Sequence, residues 1–157
     1  MNTMNSGRRQ ALKTGGSLAV VAAAISAGVL PASAFADWNK AAFDAKSLND
    51  VVKAFGGATV EKSADIAITA PDIAENGAVV PIAVVSKIAG TQSIAILVEK
   101  NPYALSAQFD IPAGTEPNVG TRVKMGQSSN VHAVVKANGK YYVATKEVKV
   151  TLGGCGG

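Results

Sequence analysis

The stretch from Val131 to Val143, VHAVVKANGKYYV, carries the clearest structural signal in the chain. Apolar residues recur at every second position around Asn138-Gly139, at Val131, Ala133 and Val135 before it and at Tyr141 and Val143 after it. An Asn-Gly pair between two alternating runs is typical of a type I′ turn in a β-hairpin. The stretch therefore predicts two antiparallel strands joined by a tight turn.

The same alternation recurs on both sides of this hairpin. Further strands are predicted at Ile66–Ile68, Val79–Val85, Ile94–Val98, Tyr103–Phe109, Thr121–Met125 and Val148–Leu152. Turn residues separate these runs and no helical pattern intervenes. About seven short strands predict an all-β fold, an immunoglobulin-like antiparallel β-sandwich over residues 58–152. Pro81 lies inside one apolar run, so we expect it at an edge or a bulge.

Residues 37–57 form an N-terminal helical segment in this prediction. Leu48, Val51, Val52 and Phe55 have the i, i+3, i+4, i+7 spacing of one helix face. Ser47 with Asp50 three residues later is similar to a capping box, and Gly56-Gly57 should end the helix. We expect Trp38 to pack in the core or to dock this segment, with a partner contact as the alternative.

The first 36 residues have the order of an export signal. Arg8-Arg9 precedes an uncharged run from Thr14 to Ala36, and Ala34-Phe35-Ala36 is a small-residue cleavage site, with Ala32-Ser33-Ala34 as a second candidate. The paired arginines resemble a twin-arginine signal. Ordinary Sec export remains open, and so does an uncleaved membrane anchor, although the run is rich in Ala, Gly and Ser rather than Leu, Ile and Phe. We predict residues 1–36 as a cleaved twin-arginine signal peptide and the periplasm as the location.

Removing this leader changes the charge of the protein. The whole chain has 15 Lys+Arg and 11 Asp+Glu, a net charge of +4. Three of the basic residues (Arg8, Arg9 and Lys13) lie in the leader, which leaves 12 basic and 11 acidic residues, a net charge of +1. This balance gives no case for nucleic-acid binding, which would need a basic patch on the mature domain.

Few residues could carry catalysis. His132 is the only histidine and lies within an alternating strand, so a structural role is expected and no metal site or cofactor is predicted. No glycine-rich phosphate loop joins a strand to a helix. We therefore predict a protein that is not an enzyme.

The last five residues, Gly153-Gly154-Cys155-Gly156-Gly157, contain the only cysteine. Glycines have almost nothing to bury, so we expect a flexible C-terminal arm that presents the Cys155 thiol. An unpaired cysteine in an exported protein indicates intermolecular pairing or a reactive thiol. One chemical handle without surrounding machinery suits a carrier on which other proteins act; a tail without function is the alternative.

The chain resembles the SoxY family, the sulfur-carrier subunits of the bacterial thiosulfate-oxidising Sox system. The terminal GGCGG motif is the most specific resemblance. Further similar segments are the leader, Phe55–Gly57, Glu75–Pro81, Lys100–Pro102, Thr121–Met125 and Val148–Thr151.

The resemblance implies a mechanism and a set of partners. Cys155 would be loaded with thiosulfate by a c-type haem conjugating enzyme. A di-manganese sulfate thiohydrolase would then release sulfate, and a molybdenum-haem sulfane dehydrogenase would oxidise the remaining sulfur. The carrier would form a heterodimer with a SoxZ-like β-sandwich subunit. The alternatives are a periplasmic thiol-redox or sulfur-relay adaptor outside the Sox pathway, and a structural interaction domain.

Overall fold

The computed structural model describes residues 38–151, which hold two short helices and nine strands. The helices are α1 (Lys40–Asp44) and α2 (Leu48–Ala54). The strands are β1 (Glu61–Lys62), β2 (Ile66–Thr69), β3 (Ile73–Ala74), β4 (Val80–Ser86), β5 (Thr91–Val98), β6 (Leu105–Asp110), β7 (Asn118–Val123), β8 (Ser129–Ala137) and β9 (Lys140–Val150).

The hairpin predicted at Asn138-Gly139 is confirmed. β8 and β9 pair antiparallel from Ser129 opposite Val148 to Ala137 opposite Lys140. Asn138 and Gly139 have φ values of 50° and 76°, the positive angles that a type I′ turn requires at both central residues. The sequence pattern had separated Tyr141–Val143 from Val148–Leu152, but β9 is one strand that continues through both runs.

The strands form the two packed sheets of an all-β sandwich, which confirms the predicted fold class. The large sheet has the order β1-β9-β8-β5-β6, with β3 also paired to β9, and the small sheet has the order β2-β4-β7. Seven strands have four or more residues and pair antiparallel. The two-residue strands β1 and β3, which the sequence pattern missed, instead run parallel to β9.

The central part of the large sheet is buried on both of its faces. One face packs against the small sheet through residues such as Ile94, Ile96 and Val135, and the opposite face packs against the helices through Leu97 and Val134. Ile94–Val98 is consequently buried at every position. The helices therefore cover part of the outer side of the large sheet.

The helical segment predicted for residues 37–57 contains two short helices, as the predicted helix start at Ser47 requires. Ala45 has an extended backbone (φ −69°, ψ 141°) and ends α1, and Ser47 then caps α2. The Ser47 hydroxyl accepts a hydrogen bond from the Asp50 amide at 3.2 Å and lies 2.6 Å from the Asp50 carboxylate, so the predicted cap is present. Gly56, with φ 86°, ends the helix as expected.

The position of Pro81 follows from where the β2–β4 pairing stops. The pairing ends at Thr69 opposite Ala83, and the same register continued would set Pro71 opposite Pro81. Neither proline has an amide hydrogen to donate to a ladder. Pro81 thus lies in the middle strand of the small sheet but at a place where one side of that strand is open, in agreement with the expected local edge.

Two other expectations have different outcomes. Trp38 is 64% exposed, so its placement in the core is wrong. The predicted leader (1–36) and the predicted arm (153–157) lie outside the described residues. The chain divides into two units, Met1–Trp38 and Asn39–Gly157, and the helices and sheets belong to the second unit.

We predict that Tyr141→Phe destabilises the domain. Tyr141 is 6% exposed, and its hydroxyl donates a 2.6 Å hydrogen bond to the Phe55 carbonyl at the end of α2. Loss of this bond should lower the free energy of unfolding by about 1 kcal/mol and the melting temperature by about 3–5 °C. Tyr142→Phe is the matched control, because the Tyr142 hydroxyl has no hydrogen bond within residues 38–151. Equal melting temperatures for the two variants would contradict the prediction.

Candidate functional site

The predicted site residues Gly153, Gly154, Cys155, Gly156 and Gly157 lie outside the residues that the structure describes. The described part of the chain ends at Thr151, directly after β9. Thr151 lies four residues before Cys155. The surface around Thr151 is therefore the place from which the arm segment (Gly153–Gly157) leaves.

The backbone at the end of β9 is fixed by hydrogen bonds on both sides. The Thr151 amide donates to the Ala74 carbonyl at 3.1 Å, and the Thr151 hydroxyl donates to the Glu75 carbonyl at 3.3 Å. On the other side, the Val150 amide donates to the Ser128 hydroxyl at 2.9 Å. The last described residues are thus held by the sandwich.

Four of the segments on which the family resemblance rests meet at this strand end. The Met125 amide donates to the Gly77 carbonyl at 2.7 Å, and the Asn101 side chain donates to the Lys124 carbonyl at 2.8 Å. The Lys100 amide donates to the hydroxyl of Ser129, which is paired with Val148 of β9. We call this cluster the arm base; it comprises Ala74–Gly77, Lys100–Asn101, Lys124–Gly126, Ser128–Ser129 and Val150–Thr151.

Gly77 allows two segments of the arm base, the turn before β4 and the end of β9, to pack closely against each other. A Cβ atom at Gly77 would lie 2.5 Å from the Met125 carbonyl oxygen and 2.7 Å from a Val150 methyl carbon. Atoms of a larger side chain would overlap with both, so the turn before β4 could not approach the end of β9. The sequence indicated Gly77 only as part of the family-like segment Glu75–Pro81 and gave no sign of this contact.

The cations near the arm segment differ in their partners. Lys146 forms a 3.0 Å ion pair with Asp72, although the Asp72 side chain is 89% exposed. Lys149 is exposed, and no ion pair of Lys149 is found in the part of the chain that the structure describes. Its amide donates to the Asp72 carbonyl at 3.0 Å. The Lys149 ammonium is therefore the available cation nearest in sequence to Cys155.

His132 has the structural role that its strand position indicates. Its Nδ1 atom lies 2.8 Å from the Thr145 hydroxyl and its Nε2 atom 3.6 Å from the Glu99 carboxylate, and 12% of the side chain is exposed. Glu99 also accepts a 2.8 Å hydrogen bond from Asn130. Burial lowers the pKa of His132 from 6.5, and the attraction of Glu99 offsets only part of that effect.

A nucleophilic pair of Cys155 and His132 has little geometric support. Thr145, opposite His132, lies six residues before Thr151, about 20 Å along an extended backbone. The four steps from Thr151 to Cys155 span at most about 14 Å. To bring Cys155 to His132, residues 152–155 would have to run fully extended back along β9. A catalytic pair instead needs a stable contact at hydrogen-bond distance.

Residues 38–151 offer neither a metal-binding cluster nor a membrane-spanning helix. No group of three or more His, Cys, Asp or Glu side chains is placed to hold a metal ion there. None of the helices in this part of the chain is long and apolar enough to cross a membrane.

Sequence reasoning missed the side chains that build the arm base. Ser128 and Asn101 fix β9 and the Lys124–Gly126 turn by hydrogen bonds over 22 to 25 positions of sequence. Asn101-Pro102 has the composition of a turn, and Ser128 lies in a polar run without a motif. Their roles depend on tertiary contacts that local patterns do not encode.

The fold and the arm base define a class: a β-sandwich protein whose last strand leads into a glycine segment with one cysteine. A family model described as "Sulfur oxidation protein SoxY" matches residues 51–155, about two thirds of the chain, and this range includes Cys155. The chain belongs to the SoxY family.

A solved structure agrees with this assignment. The chain is similar to the sulfur carrier protein SoxY from Chlorobium limicola f thiosulfatophilum, with 39% identity, 66% of this chain and 94% of that chain covered, and a TM-score of 0.61. A chain from a structural study of T cell specificity and activation by the bacterial superantigen toxic shock syndrome toxin-1 matches with 12% identity, with 55% of this chain and 99% of that chain covered; its TM-score of 0.39 carries no argument. No curated protein matches the chain.

We predict that His132 makes the domain less stable as the pH falls. Its folded pKa is lowered, so the unfolded chain takes up the proton first below about pH 6.5 and the free energy of unfolding then decreases. His132→Gln should show a smaller loss of stability between pH 7.5 and 5.5, as measured by urea unfolding. Thr145→Val, which keeps the histidine, should retain the larger loss. An identical pH dependence in His132→Gln and the wild type would contradict the prediction.

Proposed function

We propose that this protein is a periplasmic sulfur carrier of thiosulfate oxidation, which holds pathway intermediates covalently on the Cys155 thiol. The observation that carries the proposal is the SoxY family match over residues 51–155, which extends to the only cysteine of the chain. The arm base supports it, because hydrogen bonds fix the backbone as far as Thr151 and the glycines begin two residues later.

The chemistry of loading requires an enzyme that accepts electrons. Joining the Cys155 sulfur to the outer sulfur of thiosulfate forms an S–S bond and releases one proton and two electrons. In the proposed pathway a c-type haem enzyme takes these electrons. Hydrolysis by a di-manganese thiohydrolase then adds water, releases sulfate and leaves a persulfide on Cys155. A molybdenum-haem dehydrogenase oxidises the remaining sulfur.

The carrier itself is not an enzyme in this proposal. The described residues hold His132 in a structural network and provide no preorganised base for the thiol. Catalysis is therefore assigned to the partners, and the chain works as a heterodimer with a SoxZ-like subunit. Because Cys155 can move at most about 14 Å from Thr151, each enzyme must dock close to the arm base.

The proposed location follows from the leader. Residues 1–36 have the paired arginines, uncharged run and cleavage site of a twin-arginine signal, with cleavage near Ala36-Asp37. Export in folded form would allow a partner without its own signal to travel with the carrier. The periplasm is also the compartment in which the proposed haem partners function.

We predict that Cys155→Ser abolishes carriage without affecting the fold. Intact-mass measurement of wild-type protein from thiosulfate-grown cells should show thiosulfate or sulfur adducts on the peptide that contains Cys155, and the variant should show none. The free energy of unfolding should change by less than about 0.5 kcal/mol, as for a surface substitution. A variant that still supports thiosulfate oxidation would end the proposal. A mixed disulfide with a redox protein, in place of sulfur adducts, would favour the adaptor outside the Sox pathway.

We predict that Gly154→Val together with Gly156→Val prevents enzymatic loading but leaves the thiol reactive. β-branched side chains beside Cys155 add bulk and restrict the backbone angles that glycine permits. The thiol should still react with a small alkylating reagent at the wild-type rate, while loading with thiosulfate by the conjugating enzyme should fail. Normal loading of this variant would show that the glycines do not serve passage into a narrow active site.

A further inference from the structure

The solvent-facing side of the small sheet has an unusual composition. Antiparallel sheets normally carry polar residues on the face opposite the core. Here β2 presents Ala67 and Thr69, and β4 presents Pro81, Ala83 and Val85, while their neighbours in sequence face the core. Val79, just before β4, is 48% exposed. We call this side, together with the outward residues of β7, the small-sheet face.

The large sheet gives the contrast within the same protein. Where its outer side is not covered by the helices, it carries Gln108, Asp110, Lys136 and Glu147. The small-sheet face carries one charged residue, Arg122, among the described strand residues that point outward. Its composition is therefore a property of this face and not of the protein's surface in general.

Gly120 lies in the middle row of the small-sheet face, on the edge strand β7. It is paired with Ala83, which is paired in turn with Thr69, so the middle row across the three strands consists of small residues. Its φ angle is not positive and a Cβ atom would meet nothing within 4 Å, so the fold itself does not require glycine. A glycine in a strand interior weakens the strand and often marks a place where another backbone or a ligand approaches closely.

Arg122 borders a groove on this face. The groove has a volume of about 600 Å³. It is lined by the row of small residues just described, by Pro71 and Pro81, and by Arg122. No carboxylate lies within ion-pair distance of Arg122 in residues 38–151. The guanidinium is exposed and offers five donors in a planar arrangement that matches a carboxylate.

We propose that the small-sheet face docks a second, different protein chain, whose contacting surface is apolar around a carboxylate that pairs with Arg122. The partner's backbone comes close to the sheet at Gly120, and its apolar side chains lie on Pro81, Ala83 and Val85. Charge complementarity decides against a second copy of this chain. A symmetric dimer centred on Gly120 would bring two copies of Arg122 close together, and the outward residues of β2, β4 and β7 include no acidic side chain.

This inference deepens the proposed function, because it rests on the heterodimer proposed above and assigns that partner a surface. The purified SoxZ-like subunit is the probe. We expect Gly120→Val to leave the melting temperature of the isolated carrier unchanged or raised, since the added side chain meets open space. The same variant, and separately Arg122→Glu, should weaken binding of the subunit by about tenfold or more in titration calorimetry.

Two controls carry matched changes elsewhere. Gln108→Val adds a β-branched residue to the outer side of the large sheet, and Lys140→Glu makes the same charge reversal near the β8–β9 turn. Both should bind the subunit as the wild type does. In hydrogen exchange, addition of the subunit should protect peptides that cover β4 and β7 more than those that cover β6.

The outcomes separate the two proposals. If the wild type does not bind the subunit, the heterodimer is wrong and the inference fails with it. If the wild type binds and the Gly120 and Arg122 variants bind equally well, only the inference is overturned. The inference is also overturned if the chain alone, under reducing conditions, forms a dimer that Arg122→Glu disrupts. It is likewise overturned if β7 is protected from hydrogen exchange in the chain alone and this protection is lost when residues 152–157 are removed.

Discussion

The rest of the structure depends on the backbone pairing of β9. This strand is bound along its length by β8 and, on its other side, by β1 near Tyr142 and by β3 near Val150. Strands paired on both sides leave few backbone groups to water and resist local opening. Because the same strand leads into the segment that contains Cys155, hydrogen bonds hold the backbone on both sides up to Thr151, four residues before the thiol.

The regular parts of this arrangement were accessible from sequence because their causes are local. Asn138-Gly139 needs only the turn preference of two residues, and the cap at Ser47 needs only one neighbour three positions on. Alternation in β5 indicated Ile94, Ile96 and Val98, but Ala95 and Leu97 are equally buried because the helices cover the other face. Alternation of apolar and polar residues identifies a strand with one buried face. It does not identify a strand that is buried on both faces, because apolar residues then occupy every position.

What could not be predicted depends on contacts between distant parts of the chain. The parallel pairings at Glu61 and Ile73 are too short to leave a pattern, and the arm base is assembled by Asn101, Ser128 and Gly77 from three separate loops. The start of α2 could be predicted from Ser47, but the end of α1 at Ala45 left no signal in the sequence. The arm segment differs, because Cys155 is the only residue there with a reactive side chain and the other four are glycines. Cys155 could therefore be predicted from the sequence alone.

The small-sheet face and the arm base are continuous with each other, and this bears on how a carrier can serve several enzymes. The segment before β4 connects them: Val79 belongs to the face, and Gly77, two residues earlier, lies against Met125 and Val150 in the arm base. A partner held on the face would therefore border the region from which the thiol departs. Enzymes that must dock within about 14 Å of Thr151 would meet a surface made by both chains. A lasting partner and transient enzymes could then bind at once, because the lasting contact uses the sheet and leaves the strand end open.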